Sequence, residues 1–232
     1  MRSMSLRQLY DRLRAQFGRL FRRPRPPFIY VALGDSTVEG IGASHPSKAY
    51  ASLVYNDLNR HYAPVEYHNF GKGGARVSDV VTNQLQPAIE AKPRLITLSI
   101  GANDVIKRTS LRLFRADLRR LLRTLLEQTA ATVVMTNIPD FSFNKRIPTS
   151  ITPVIRLRIR QYNSIIQHAA NENGAVLIDT FRESAVTARR FPEALSSDNF
   201  HPSDLGYTLW ANTMLSVIHD ELKQRHRRKQ PA

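Results

Sequence analysis

The 232 residues contain no cysteine, which excludes disulfides, a thiol nucleophile and any cysteine-based metal site. No apolar run approaches the roughly 18 to 20 positions that a membrane-spanning helix needs. No Asn-x-Ser/Thr glycosylation sequence occurs either. Acidic residues are few beside basic ones, 19 against 34, leaving a formal net charge of +15. Such an excess points to nucleic acid or an anionic membrane surface when it covers the folded domain. Its location therefore decides its meaning. What the chain does have is 42% hydrophobic side chains over a length that suits one large domain.

The positive charge sits at the ends. Residues 1–27 carry eight arginines against Asp11, a net +7, and residues 223–232 carry five Lys/Arg and no acid, a net +5. The 195 residues between them hold only +3. This distribution points away from nucleic acid as a partner of the domain. Leu6, Leu9, Tyr10, Leu13, Phe17, Leu20 and Phe21 recur at helical spacing among arginines, as in a basic amphipathic helix lying on an anionic membrane. A partly helical, solvated extension satisfies the same pattern. An uninterrupted apolar stretch with a small-residue cleavage site is missing, so a cytoplasmic protein, peripheral to a membrane through residues 1–27, is expected. Residues 23–27, Arg-Pro-Arg-Pro-Pro, read as a stiff linker. The domain is expected over 28–222, with a basic tail after it.

Within 28–222 strand and helix patterns alternate. Compact apolar runs at 28–33, 65–70, 95–100, 132–138 and 176–178 read as strands. Helical spacing predicts helices over 48–61, 77–91 (disturbed at Pro87), 111–125, from Ile155 to Gly174, and over 203–222. Five strands separated by helices imply a three-layer α/β/α sandwich around an open parallel sheet. In such sheets, ligands bind beyond the carboxyl ends of the strands.

Four short blocks occupy those ends. They are Gly34-Asp35-Ser36, Asn69-Phe70-Gly71-Lys72-Gly73-Gly74, Gly101-Ala102-Asn103-Asp104 and Asp198-Asn199-Phe200-His201. Each has a plain structural reading alone: Gly-Asp-Ser favours turns, Asn-Asp caps helices, and glycine-rich loops turn chains or cradle phosphate. Together they supply a serine, an Asp/His pair, an amide and glycine-rich backbone, the parts that serine-dependent acyl transfer needs.

In this order the blocks resemble those of the SGNH/GDSL hydrolase family, over about residues 28–222. The resemblance implies a flavodoxin-like fold and hydrolysis of esters or thioesters, with lipids, lysophospholipids and acetylated carbohydrates among the substrate classes, and with no cofactor or metal. It implies Ser36 as nucleophile and His201 as base, with Asp198 orienting the imidazole. The Ser36 and Gly74 backbone N–H groups and the Asn103 amide would form the oxyanion hole. Gly74 is preferred to Gly71 and Gly73 because it lies five residues after Asn69. The first block continues Ser-Thr-Val where the family often has Ser-Leu. An acyltransferase using the same residues, and a non-catalytic module that binds anionic surfaces through the tails, are the alternatives. Residues 139–153 and 181–197 are expected to shape the pocket, with Phe141, Phe143, Phe191 and Phe200 as candidates for an apolar acyl site. His45 is a minor candidate to line it.

Overall fold

The computed structural model describes residues 26–144 and 147–228. The amphipathic pattern of the first 25 residues lies outside the described residues. Five parallel strands form one sheet: β1 (Phe28–Gly34), β2 (Val65–Asn69), β3 (Leu95–Ser99), β4 (Thr132–Thr136) and β5 (Val176–Ile178), in the order β2-β1-β3-β4-β5. Nine α-helices are described: α1 (Ser36–Glu39), α2 (Tyr50–Tyr62), α3 (Val77–Asn83), α4 (Leu85–Glu90), α5 (Ala102–Ile106), α6 (Leu111–Gln128), α7 (Thr152–Asn173), α8 (Thr180–Arg190) and α9 (Asp204–Arg228).

The two-residue period of the strands feeds two cores. Val31, Leu33, Ile96, Leu98, Val133 and Met135 face α3, α4, α6 and α7. Phe28, Tyr30, Ala32, Leu95 and Val134 face α2 and α9. This is why the inner strands read as continuous apolar runs: both faces are buried. The helix expected from its leucine stripe is α6. It buries Phe114, Leu118, Leu121, Leu122 and Leu125 and starts at Ser110, whose Oγ accepts the Leu113 N–H at 3.3 Å.

The structure corrects three of the expected elements. Residues 77–91 form two helices, and the break falls at Gln84, not at Pro87. Pro87 is the third residue of α4, within the first turn, where a missing N–H breaks no helical bond. Residues 180–190, for which no element was expected, are helix α8, capped by Asp179, whose Oδ1 accepts the Arg182 N–H at 3.4 Å. The last helix runs on through Arg228, because the Lys/Gln/Arg run after Leu222 has good helix formers and no breaker. Arg225 there donates to the Ala130 carbonyl at 2.6 Å.

Gln84 explains the break. Its buried side-chain amide completes the backbone of Gly34 at the end of β1, with Oε1 accepting the Gly34 N–H and Nε2 donating to the Gly34 carbonyl, both at 2.9 Å. Replacing Gln84 by Leu leaves the buried Gly34 N–H unpaired, while the carbonyl keeps the Lys72 N–H at 3.1 Å. At about 1–3 kcal/mol for such a group, urea denaturation should show a loss of about that size; an unchanged midpoint would contradict this role.

Candidate functional site

The strand order reverses direction between β1 and β3, and the crevice at that point is where open α/β sheets bind ligands. Ser36 follows β1 there and Asn103 follows β3. Gly34 brings the two strands close: a Cβ at this position would meet the Ser99 carbonyl oxygen at 1.9 Å, and its φ of +145° is one that glycine tolerates best. Asp35 then donates its backbone N–H to Ser99 O at 3.2 Å and caps α1 by accepting the Thr37 N–H at 3.0 Å. Ser36 is the first residue of α1.

The four blocks are stitched to one another. Asn69 Nδ2 donates to Val38 O at 2.8 Å, and the Gly73 N–H donates to Glu39 Oε2 at 2.5 Å, which ties the second block to α1. Asn103 Nδ2 donates to Ala75 O at 3.0 Å, Asp104 Oδ2 accepts the Val77 N–H at 3.0 Å, and Lys107 Nζ donates to Gly74 O at 2.8 Å. These bonds hold the third block against the second. Gly74 has φ +77°, in the left-handed region, and an added Cβ would meet nothing closer than Lys107 Nζ at 3.9 Å. Conformation, not crowding, accounts for glycine there.

The fourth block folds back over Ser36 through a loop clamped to the start of α9. Ser196 N–H donates to His201 O at 2.8 Å and Ser203 N–H to Ala194 O at 2.9 Å. Asp198 Oδ1 accepts from Ser196 Oγ and from the backbone N–H groups of Phe200 and His201, at 2.8, 2.8 and 2.9 Å. Its Oδ2 lies 2.6 Å from His201 Nδ1, and His201 Nε2 lies 2.9 Å from Ser36 Oγ. With Nδ1–H donating to Asp198, Nε2 is left to accept the serine hydroxyl proton.

Two carboxylates here are shifted in opposite directions. Partial burial raises the Asp198 pKa, but the bonds from His201, Phe200 and Ser196 outweigh it and hold the carboxyl well below the usual range. Asp35 is pushed up to about 6, chiefly by burial, with Thr37 and the nearby His201 acting against the rise. Asp104 is also raised by burial.

An apolar cavity of about 170 Å³ opens beside Ser36 and Asn103 and reaches α9 at Leu209, Trp210 and Thr213. Phe141, Phe143 and Phe200 line it, and Phe200 packs edge-on against His201 with ring centroids 5.0 Å apart. Phe191 is not among its lining residues and instead lies under the Arg190 guanidinium. His45 caps a short turn by accepting from Ser47 N, outside the cavity lining. Leu209, Trp210 and Thr213 were missed in sequence; their recurrence on one face of the last helix was the available signal. Gln84 was also missed, since nothing local marks a glutamine whose partner is 50 residues away.

Among the described residues, Asp57, His61 and His219 bring metal-ligating atoms within 4.8 Å of one another. Asp57 and His61 lie in the second half of α2, and His219 lies on α9. Asp57 there is 2.7 Å from His219 Nε2 and 3.1 Å from Arg60 Nη2.

Fold and site together define an ester hydrolase built on an α/β/α sandwich. Residues 32–209 match the model of the GDSL-like lipase/acylhydrolase family, and the chain belongs to that family. An acetylxylan esterase from Geobacillus stearothermophilus is 26% identical over 199 residues, covering 80% of this chain and 85% of its own length. The structure of a psychrotrophic esterase from Pseudoalteromonas sp. superposes with a TM-score of 0.68 at 15% identity, covering 84% of this chain and 99% of that one. The lipase/acylhydrolase of Enterococcus faecalis gives 0.67 at 21% identity, covering 83% and 96%. The five-stranded parallel sandwich is the fold of these proteins.

The buried Asp35 carries a pH signature. Between about pH 4 and 6 the folded protein holds its proton more tightly than the unfolded chain, whose value is 3.8. Stability is therefore lost as pH rises through that window, by roughly 3 kcal/mol at 1.36 kcal/mol per unit. Asp35→Asn keeps the acceptor for Thr37 and removes the titration. Urea unfolding at pH 4 and pH 7 should show the variant gaining stability relative to wild type at the higher pH; a difference constant across the window contradicts the assignment.

Proposed function

We propose that the protein hydrolyses carboxylic esters of medium-length acyl chains through an acyl-enzyme on Ser36. The observation that carries this reading is the hydrogen-bonded chain from Asp198 through His201 to Ser36, opening onto an apolar cavity. His201 Nε2 takes the hydroxyl proton as Ser36 Oγ attacks the ester carbonyl. Asp198, held ionised by four donors, keeps Nδ1 protonated and stabilises the imidazolium that forms.

Negative charge then grows on the former carbonyl oxygen. The Ser36 and Gly74 backbone N–H groups and the Asn103 amide are assigned to receive it. One N–H of the Asn103 amide is spent on Ala75 O, which fixes the direction of the other. Collapse of the tetrahedral adduct expels the alcohol with the proton from His201. Water, deprotonated by the same His201, then releases the acid and frees Ser36.

The cavity sets the acyl group. A cavity of about 150 Å³ accommodates a benzene-sized molecule, so 170 Å³ suits an acyl chain of about six to eight carbons by the same measure. An acetyl group would leave most of it unfilled. The acetylxylan esterase relative supports the alternative, a small acetyl ester.

A chain-length panel of soluble p-nitrophenyl esters separates the two. Each buried CH₂ contributes about 0.8 kcal/mol, so kcat/KM should rise at least about tenfold from acetate to hexanoate or octanoate; a maximum at acetate favours the small-acyl reading. Ser36→Ala should lower kcat/KM by about 10⁴-fold or more on every ester. Full activity in Ser36→Ala would overturn the mechanism.

A further inference from the structure

Asp57, His61 and His219 stand apart from the ester chemistry, since none belongs to the Asp198–His201–Ser36 chain or lines the cavity beside it. Asp57 and His61 are four residues apart on α2, a spacing that puts both side chains on one face of a helix. His219 meets them from α9, with the His61 and His219 rings edge to face at a centroid distance of 5.0 Å. The backbones that carry them are fixed. Leu58, next to Asp57, and Ile218, next to His219, are fully buried in the same core. Tyr50 of α2 stacks on Trp210 of α9 with ring centroids 5.5 Å apart, and Tyr62 packs against both imidazoles.

The donor atoms fit one ion. Asp57 Oδ1 lies 3.4 Å from His61 Nδ1 and 2.7 Å from His219 Nε2, and the three ligating atoms are within 4.8 Å of one another. A tetrahedral zinc ion at about 2.0–2.2 Å from each ligand sets its donors about 3.4 Å apart. One separation already has that value, and small turns of the two imidazoles bring the others to it. His61, 54% exposed, has room for such a turn, whereas Asp57 is 14% exposed and held between the helices. Arg60 Nη2 lies 3.1 Å from Asp57 Oδ2, but its side chain is 72% exposed, and such a pair gives way to water at little cost. Both imidazoles now spend an N–H on Asp57: His219 Nε2 on Oδ1, and His61 Nδ1 on the backbone carbonyl at 2.8 Å. A metal exchanges these two bonds for ligation, each ring moving its proton to its other nitrogen or releasing it.

We propose that Asp57, His61 and His219 bind a zinc-class divalent cation that clamps α2 to α9. Two imidazoles and one carboxylate are the donor set of borderline transition metals. Calcium and magnesium take oxygen ligands and would leave both nitrogens unused. Water completes the coordination on the exposed side of His61. A carboxylate that simply accepts hydrogen bonds from two histidines accounts for the contacts at Asp57, but it confers no metal affinity. The ion takes no part in ester hydrolysis. It acts on stability, by fastening to α2 the helix that carries Leu209, Trp210 and Thr213 of the cavity wall.

The test uses the full chain, stripped with a chelator and titrated with zinc chloride by calorimetry. One zinc per chain should bind with a micromolar Kd or tighter. Free zinc at ~100 times Kd should raise the melting midpoint by about 5–10 °C, and calcium chloride should do neither. His61→Ala removes one ligand at the surface, and His219→Gln keeps a donor for Asp57 while removing the imidazole. Each should weaken zinc binding at least about tenfold and lose most of the thermal shift. If His219→Gln misfolds by its melting curve, His61→Ala, at an exposed position, decides alone. Absence of binding below millimolar zinc would leave the cluster a hydrogen-bond network and overturn the proposal. Binding undiminished in the folded variants, which places the ion at other histidines, would overturn it as well, as would an equal response to calcium. Titration and melting read the site without turnover, so their outcome is independent of the ester-hydrolase reading.

Discussion

The close contact of Gly34 with β3 is the constraint on which the catalytic edge depends. No side chain fits there, because a Cβ would lie 1.9 Å from the Ser99 carbonyl oxygen. The strand can therefore leave the sheet flush against its neighbour, and Asp35 and Ser36 turn into α1 at a fixed height above the crevice. Gln84 holds the same residue from the other side through both of its backbone groups. From this anchor the rest follows by hydrogen bonds between blocks: α1 holds the glycine-rich loop, and that loop holds Asn103 and Asp104. Only the Asp198–His201 loop arrives separately, carried by the start of α9. Gly206 lets that helix pack under it, since a Cβ there would meet the Ala194 carbonyl oxygen at 2.1 Å.

The two shifted carboxylates show how one small region supports opposite electrostatic tasks. Asp198 has partial access to water and four donors, so its charge is strongly favoured. In the proposed mechanism that charge stabilises the imidazolium formed at His201. Asp35 is buried with few donors, and its charge is disfavoured. Its work is geometric, capping α1 with one oxygen, and the cost is a loss of stability as it ionises. The effects on stability run in opposite directions with pH. Asp198 contributes above its unfolded value and loses that contribution on acidification, whereas Asp35 becomes a burden as pH rises toward 6.

Much of this was legible in the sequence, for identifiable physical reasons. Strands buried on both faces announce themselves as short apolar runs, and the leucine stripe of α6 has no other amphipathic reading. The four blocks sit at strand ends, so topology alone gathers Ser36, Gly74 and Asn103 at one edge. What stayed hidden depends on tertiary partners. The break at Gln84 follows from Gly34 needing an amide, and no local propensity encodes that. Helix α8 has few apolar residues and is held by its cap and by packing at the crevice, so its pattern announces no helix. The cavity wall contributed by Leu209, Trp210 and Thr213 belongs to a helix whose other face fills the core.

The central claim is that Ser36, activated by His201, is the nucleophile. It is tested most directly by stoichiometric labelling with a fluorophosphonate, followed by peptide mass spectrometry. The account predicts one adduct per chain, on the peptide containing Ser36, formed in parallel with loss of esterase activity and strongly slowed in His201→Ala. An adduct on another residue, or complete inactivation with Ser36 unmodified, would contradict it.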